Sequence, residues 1–237
     1  MCGLLLYLNK EEGVDLGSFQ KALNLQESRG PDDYGIVCIN NLASKNLIDI
    51  RSLPDPQKSK PQLVIGHRRL SIIDTSTDSR QPFIDNNSST FLAYNGEFYN
   101  FVELRHAHTD LEFTTQSDCE VPLRLYPSSG VDVARGLRGM YALALHDRRT
   151  NSLLLARDPF GIKPLYWGCC GGHFLFASEI KALHAHPACQ GSVWGVVPDE
   201  QMLPFGVTTV MSQGDAGADN WQNYQDHTIE ASRTRVL

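Results

Sequence analysis

An α+β fold of packed sheets flanked by helices is what this sequence predicts, on three observations. From Met140 to Ala177 it reads as strand after strand, with short apolar runs between turns. Apolar residues at helical spacing occur near both ends of the whole series of short strands, at Leu16, Phe19, Ala22 and Leu23 and again from Ser178 to His184. At 237 residues with 41% hydrophobic content, the chain is long enough to bury a sizeable core. Helices outside and strands inside then suggest stacked sheets covered by helices.

In chain order, Cys2-Gly3-Leu4-Leu5-Leu6-Tyr7-Leu8 predicts a first strand, and Asp15 can cap the helix that starts at Leu16. Arg29-Gly30-Pro31-Asp32-Asp33 breaks the chain before a strand from Tyr34 to Ile39. Asn40 to Gln62 is a polar loop or ragged hairpin, and Leu63 to Asp74 is a strand that runs into a turn. Phe91 to Tyr94 reads as a short strand ending in a turn at Asn95-Gly96-Glu97. A helix is expected from Phe101 to His108. Ser117-Asp118-Cys119-Glu120 has the capping-box pattern, with Asp118 in the first turn of a helix that Pro122 and Pro127 keep short or kinked. Strands follow at Met140 to His146, Ser152 to Arg157, Leu165 to Gly168 and His173 to Ala177. We divide the chain into a domain at 2–187 and an extension at 188–237. From Gln190 on, two arginines stand against six acidic residues in a polar context that predicts no fold.

A net charge of −6 argues against a nucleic-acid-binding surface. Six cysteines at 2, 38, 119, 169, 170 and 189 form no CxxC pair and are expected as reduced thiols in the cytoplasm. No run of about 18 apolar residues could span a membrane, and the sequons at Asn86 and Asn87 are read as a polar loop. The His106/His108 and His184/His186 pairs lack zinc-protease and zinc-finger spacing, so they are expected on the solvated surface and no metal is expected.

The first residues carry the chemistry. If Met1 is trimmed, Cys2 has a thiol and a free α-amine on one carbon, a nucleophile with its own base. Several ordered blocks accompany it: Cys2-Gly3, Arg29-Gly-Pro-Asp32, Gly66-His-x-Arg69-Leu-Ser-Ile-Ile-Asp74, Gln81-Pro82, Asn95-Gly-Glu-Phe-Tyr-Asn100, Ser117-Asp-x-Glu120 and Arg157-Asp-Pro-Phe-Gly-Ile-Lys-Pro-Leu-Tyr166. In this order they closely resemble the class II glutamine amidotransferase domain, most of all that of glutamine-hydrolysing asparagine synthetase.

The resemblance implies an N-terminal-nucleophile hydrolase fold, a four-layer α-β-β-α sandwich of two antiparallel sheets. It also implies hydrolysis of L-glutamine to glutamate and ammonia. Cys2 would be the nucleophile, with Asn95 and Gly96 as oxyanion donors. Arg69 would take the substrate carboxylate, the backbone of Leu70, Ser71, Ile72 and Ile73 would line the pocket, and Asp118 with Glu97 would take the α-ammonium. Arg29 would order the loop near Cys2, while His67 is read as a packed strand histidine. The Asp158 to Pro164 segment is expected to be a structural or interfacial turn. The family's synthetase domain, with its ATP and magnesium, is not in this sequence. The ammonia would pass to a synthetase domain or separate acceptor protein, and the glutaminase step needs no cofactor. Two other readings stay open: a catalytically silent binding or assembly module, or a truncated product; and an amidohydrolase of the same type acting on another amide, which the Arg69/Asp118 pair argues against.

Overall fold

The computed structural model describes residues 1–39, 60–85 and 89–189, together with the backbone of 209–210 and 235–236. The sequons and most of the loop from Asn40 to Gln62 lie outside the described residues, as does nearly all of the extension. Strands β1 (Gly3–Leu8), β2 (Asp33–Ile39), β3 (Leu63–Arg69), β8 (Tyr166–Cys170) and β9 (His173–Ala177) form one sheet in the order β2-β3-β1-β9-β8. All its pairings are antiparallel. The second sheet contains β4 (Phe83–Asp85), β5 (Thr90–Phe98), β6 (Gly139–Asp147) and β7 (Ser152–Arg157), also antiparallel. Two-residue strands β10 (Thr209–Val210) and β11 (Arg235–Val236) add to its β7 edge in parallel.

Successive strand residues point to opposite faces, so a strand covered on both sides reads as continuously apolar. β1 is such a strand. Leu4, Leu6 and Leu8 pack between the sheets against Val37, Ile65, Phe91, Ala144 and Phe176. Leu5 and Tyr7 point outward, onto helices α1 (Leu16–Asn24) and α5 (Ile180–His184). The outer face of the second sheet packs under α3 (Glu120–Ser129) and α4 (Val133–Gly136), with α2 (Phe101–Ala107) at its margin. The layers are therefore α-β-β-α, as the resemblance implied. Among the described residues no helix is long and apolar enough to cross a membrane.

Most elements form where their sequences predict. Asp15 caps α1, its Oδ2 accepting from the Ser18 amide at 2.8 Å. Four local readings are corrected. Asn95-Gly96-Glu97 is not a turn but the interior of β5, paired with Ala142, Tyr141 and Met140. Gly96 is needed there for close approach, since a Cβ would lie 2.1 Å from the Met140 carbonyl oxygen. The capping box does not form either: α3 begins at Glu120, and Asp118 precedes it. Glu120 instead accepts from the amides of Thr114 and Thr115, at 2.9 and 2.8 Å, and from Arg124, while Ser117 Oγ contacts Cys119 Sγ at 2.8 Å. Finally, not all six cysteines are free thiols. Cys170 and Cys189 form a disulfide because the β8–β9 hairpin folds alongside the turn after α5, a proximity that a separation of 19 residues does not announce. Of the paired histidines, His106 and His184 are exposed, but His186 is buried.

Candidate active site

The site grows out of the inter-sheet stripe. Leu4, Leu6 and Leu8 of β1, Leu63 and Ile65 of β3, and Phe91 and Ala93 of β5 all face the central core. Continuing each alternation toward one end of the sandwich reaches Cys2, then His67 and Arg69, then Asn95. The same parity that builds the core therefore aims polar residues from three strands into one space. That space is a pocket of about 110 Å³, well below the roughly 300–1,000 Å³ of drug-sized clefts. It suits a small metabolite.

Cys2 is half-buried at the pocket's edge. Its backbone nitrogen donates to Asn95 Oδ1 at 3.0 Å, and its sulfur accepts from the Leu70 amide at 3.4 Å. Arg29 Nε donates to the Cys2 carbonyl at 3.0 Å, which fixes the chain start. Burial pushes the Cys2 thiol pKa up, opposed by the Leu70 amide and by the positive charges of the chain terminus, Arg69 and Lys163. Met1 is exposed and also lines the pocket.

Asn95 is 1% exposed. Its Oδ1 is occupied by Cys2, but its Nδ2 is buried without a hydrogen-bond partner. A buried amide donor left unmade costs about 1–3 kcal/mol, so it is a group with a use for an incoming acceptor. Arg69 is nearly buried, its guanidinium held by the carbonyls of Asp74 and Ser76. Asp118 lines the pocket and is 3% exposed; its Oδ2 accepts from Tyr94 Oη at 2.7 Å and the Phe98 amide at 2.8 Å. Burial holds its carboxyl above the ordinary 3.8, although those two hydrogen bonds pull the other way.

Leu70, Ile72, Ile73, Gly96 and Glu97 line the same pocket; Ser71 does not, its amide donating to Asp32 Oδ2 at 2.8 Å. His67 is fully buried, Nε2 against the Tyr94 carbonyl at 2.9 Å, and burial depresses its pKa to about 4, as a packed strand histidine requires. Sequence reasoning missed Lys163 as a lining residue. Its turn is built around Asp158, whose carboxylate accepts from the amides of Tyr141, Phe160, Ile162 and Lys163. That scaffold turns Lys163 inward and leaves Phe160 and Ile162 exposed. A single lysine in a Gly/Pro turn carries no signal of which way it points.

A thiol, an unpaired amide donor, a guanidinium and a carboxylate thus converge on one small pocket. Together they can attack a carbonyl carbon, receive an oxyanion, and hold the two charged ends of an amino acid. Comparison with known proteins finds relatives that are named as glutamine-hydrolysing. The Bacillus subtilis asparagine synthetase [glutamine-hydrolyzing] 2 is 42% identical over 138 residues, covering 57% of this chain and 18% of that protein. The Escherichia coli asparagine synthetase B [glutamine-hydrolyzing] is 36% identical over 196 residues, covering 80% of this chain and 31% of its own length. The chain therefore spans a third or less of these two relatives. Among solved structures, the glutamine phosphoribosylpyrophosphate amidotransferase of B. subtilis superposes with a TM-score of 0.63 at 27% identity, over 78% of this chain and 43% of that one. The family described as "Glutamine amidotransferase domain" matches residues 54–204, well over half the chain. On that match, and on the fold and site it accompanies, this chain belongs to the glutamine amidotransferase domain family.

Proposed function

We propose that this chain hydrolyses L-glutamine to glutamate and ammonia through Cys2, and that the ammonia is used by an acceptor outside it. The observation that carries this reading is the buried, unpartnered Nδ2 of Asn95, whose Oδ1 accepts from the Cys2 nitrogen, in a pocket that also holds the Cys2 thiol, Arg69 and Asp118.

Removal of Met1 frees the α-amine of Cys2 and takes away one lining residue of the pocket. Because burial keeps the thiol protonated, a base must take its proton, and the amine on the same residue can do so at its ordinary pKa of about 7.7–8.0. Asn95 Oδ1 accepts from this nitrogen and so orients it. The sulfur bonds to the glutamine amide carbon and the carbonyl π pair moves to oxygen, toward Asn95 Nδ2 and the Gly96 amide. As the C–O double bond re-forms, the C–N bond breaks and the proton held by the amine leaves with ammonia. Water then adds to the thioester, the C–S bond breaks, and glutamate departs with the thiol restored. Arg69 faces the substrate α-carboxylate as a guanidinium fork; Asp118, with Glu97, faces the α-ammonium. No step needs a cofactor. ATP and magnesium belong to the synthetase step by resemblance to the asparagine synthetases, where the acceptor would be activated aspartate. The exposed Phe160 and Ile162, on the turn that delivers Lys163, support docking of an acceptor domain or separate protein near the pocket.

A catalytically silent module is the competing reading. It gives no reason to retain the thiol, the amide donor and both charged partners in one pocket. The test is glutamate release from L-glutamine by the purified chain, with intact mass reporting loss of Met1 and Cys2→Ala as control. Release that tracks the processed fraction and vanishes in the variant is expected. A processed, folded chain that releases none would overturn autonomous hydrolysis.

A further inference from the structure

At the opposite end of β1 from Cys2, a second set of reactive side chains gathers. The β8–β9 hairpin turns on Gly171 and Gly172, whose φ of +53° and +76° suit the two-residue type I′ turn. Across it Cys170 and His173 are direct partners and so share a face of the sheet. The turn after α5 packs against this tip, so closely that a Cβ on Gly171 would lie 2.8 Å from the Ala188 Cβ. It brings up His186 and Cys189, both buried. One ligating atom from each of Cys170, His186 and Cys189 lies within 4.8 Å of the other two. The His173 ring is 4.3 Å from that of His186, and its Nδ1 is buried without a partner. Along the chain the set reads Cys170-x-x-His173 and His186-x-x-Cys189.

We propose that, once its cysteines are reduced, this cluster binds a zinc-class divalent cation through Cys170, Cys189 and His186, with His173 completing the set. Two thiolates and two imidazoles are a donor set that zinc favours. Tetrahedral zinc at about 2.3 Å from sulfur and 2.0–2.1 Å from nitrogen needs ligand atoms roughly 3.4–3.8 Å apart; the ligating atoms of Cys170, His186 and Cys189 already lie within 4.8 Å of one another, and the two sulfurs move apart on reduction while His173 turns toward them. Nε2 is the ligating atom His173 can offer. Asn9 Oδ1 is committed to the amides of Glu11 and Glu12, so Asn9 Nδ2 faces His173 Nε2 at 3.1 Å and keeps a lone pair there.

The redox step balances with a thiol pool. Two monothiols become one disulfide, their two electrons and two protons convert the Cys170–Cys189 bond into two thiols, and each thiol releases its proton as its sulfur ligates. Cys2 and Leu8 are six steps apart along β1, about 20 Å at strand rise. The site is therefore a clip joining a hairpin to the turn from which the chain leaves toward residue 190, and it is independent of glutamine hydrolysis.

The experiment uses the full chain, reduced with a phosphine under argon and titrated with Co²⁺, then Zn²⁺. The expected result is one equivalent of Co²⁺ giving thiolate charge-transfer and intense tetrahedral d–d absorption, bleached by Zn²⁺, together with a higher melting temperature. Cys170→Ser, Cys189→Ser and His186→Ala should abolish the spectrum, His173→Ala should weaken binding, and Cys2→Ala should leave it unchanged. Should the serine variants fail to fold, alkylation of the wild type decides: Zn²⁺ should slow modification of Cys170 and Cys189 and not of Cys2. No cobalt spectrum, a disulfide that survives reduction of the folded protein, or alkylation unaffected by Zn²⁺ would each overturn the proposal.

Discussion

Replacing Asn95 by alanine removes two groups with opposite effects on the folded protein. Oδ1 accepts from the Cys2 nitrogen at 3.0 Å, a bond worth about 0.5–1.5 kcal/mol net. Nδ2 is a buried donor without a partner, and deleting it relieves a penalty of about 1–3 kcal/mol. The two nearly cancel, and the vacated volume opens onto a pocket that water can fill. Thermal stability should therefore change by no more than about 1 kcal/mol. Catalysis has no such compensation. If Nδ2 meets the oxyanion only as charge develops, its loss should lower kcat by about 10²–10³ and kcat/KM by the same factor. The assay is steady-state glutamate release by Met1-processed protein, paired with thermal unfolding of the same samples. A kcat within about tenfold of wild type would refute the oxyanion role. A large drop in melting temperature would show that Asn95 is needed for folding, and would refute the cancellation argued from its unpaired amide.

Three further outcomes follow from the same geometry. Arg69→Met should raise KM for glutamine with kcat little altered, because a charged hydrogen-bonded pair is worth roughly 1.5–3 kcal/mol, or about 10–150-fold; an unchanged KM would remove Arg69 from carboxylate binding. Asp118 is held above its ordinary 3.8 by burial, so the stability tied to its protonated form is complete below 3.8 and is lost as pH rises through the folded value. Asp118→Asn keeps an acceptor for Tyr94 and Phe98 and should melt higher than wild type at neutral pH and equally near pH 3, while KM for glutamine rises. His67 and His146, both buried with pKa depressed from 6.5 to about 4, contribute stability that is present above 6.5 and lost as pH falls through 4. Denaturant midpoints should fall steadily across that window, and His67→Gln should flatten the fall.

Much of the architecture was legible because strand alternation is a strict code. The all-apolar Gly3–Leu8 stretch reads as a strand buried on both faces, and extending its parity by one step puts Cys2 between the sheets. The site residues were legible only as a set of ordered motifs, since an isolated Asn-Gly or Ser-x-x-Glu obeys the local rules of turns and caps. Those local rules failed at two places. Asn95-Gly96 is strand because β6 approaches too closely for any side chain, and Asp118 lies before its helix because Glu120 is already engaged by Thr114, Thr115 and Arg124. Lys163 and the Cys170/Cys189 pair were missed for a different reason. The disulfide joins a hairpin tip to a turn 19 residues on, and nothing in residue type or spacing encodes which way a turn residue such as Lys163 faces.

Acid-quenching the Met1-processed chain during turnover of L-glutamine, and mapping the trapped glutamyl group by peptide mass spectrometry, puts the role of Cys2 to direct proof. A γ-glutamyl thioester on the N-terminal Cys2 peptide, absent from Cys2→Ala and enriched in a variant slowed at hydrolysis, is the predicted result. An adduct on Cys119 or Cys169 instead, or turnover with Cys2 never acylated, would contradict the assignment of the nucleophile.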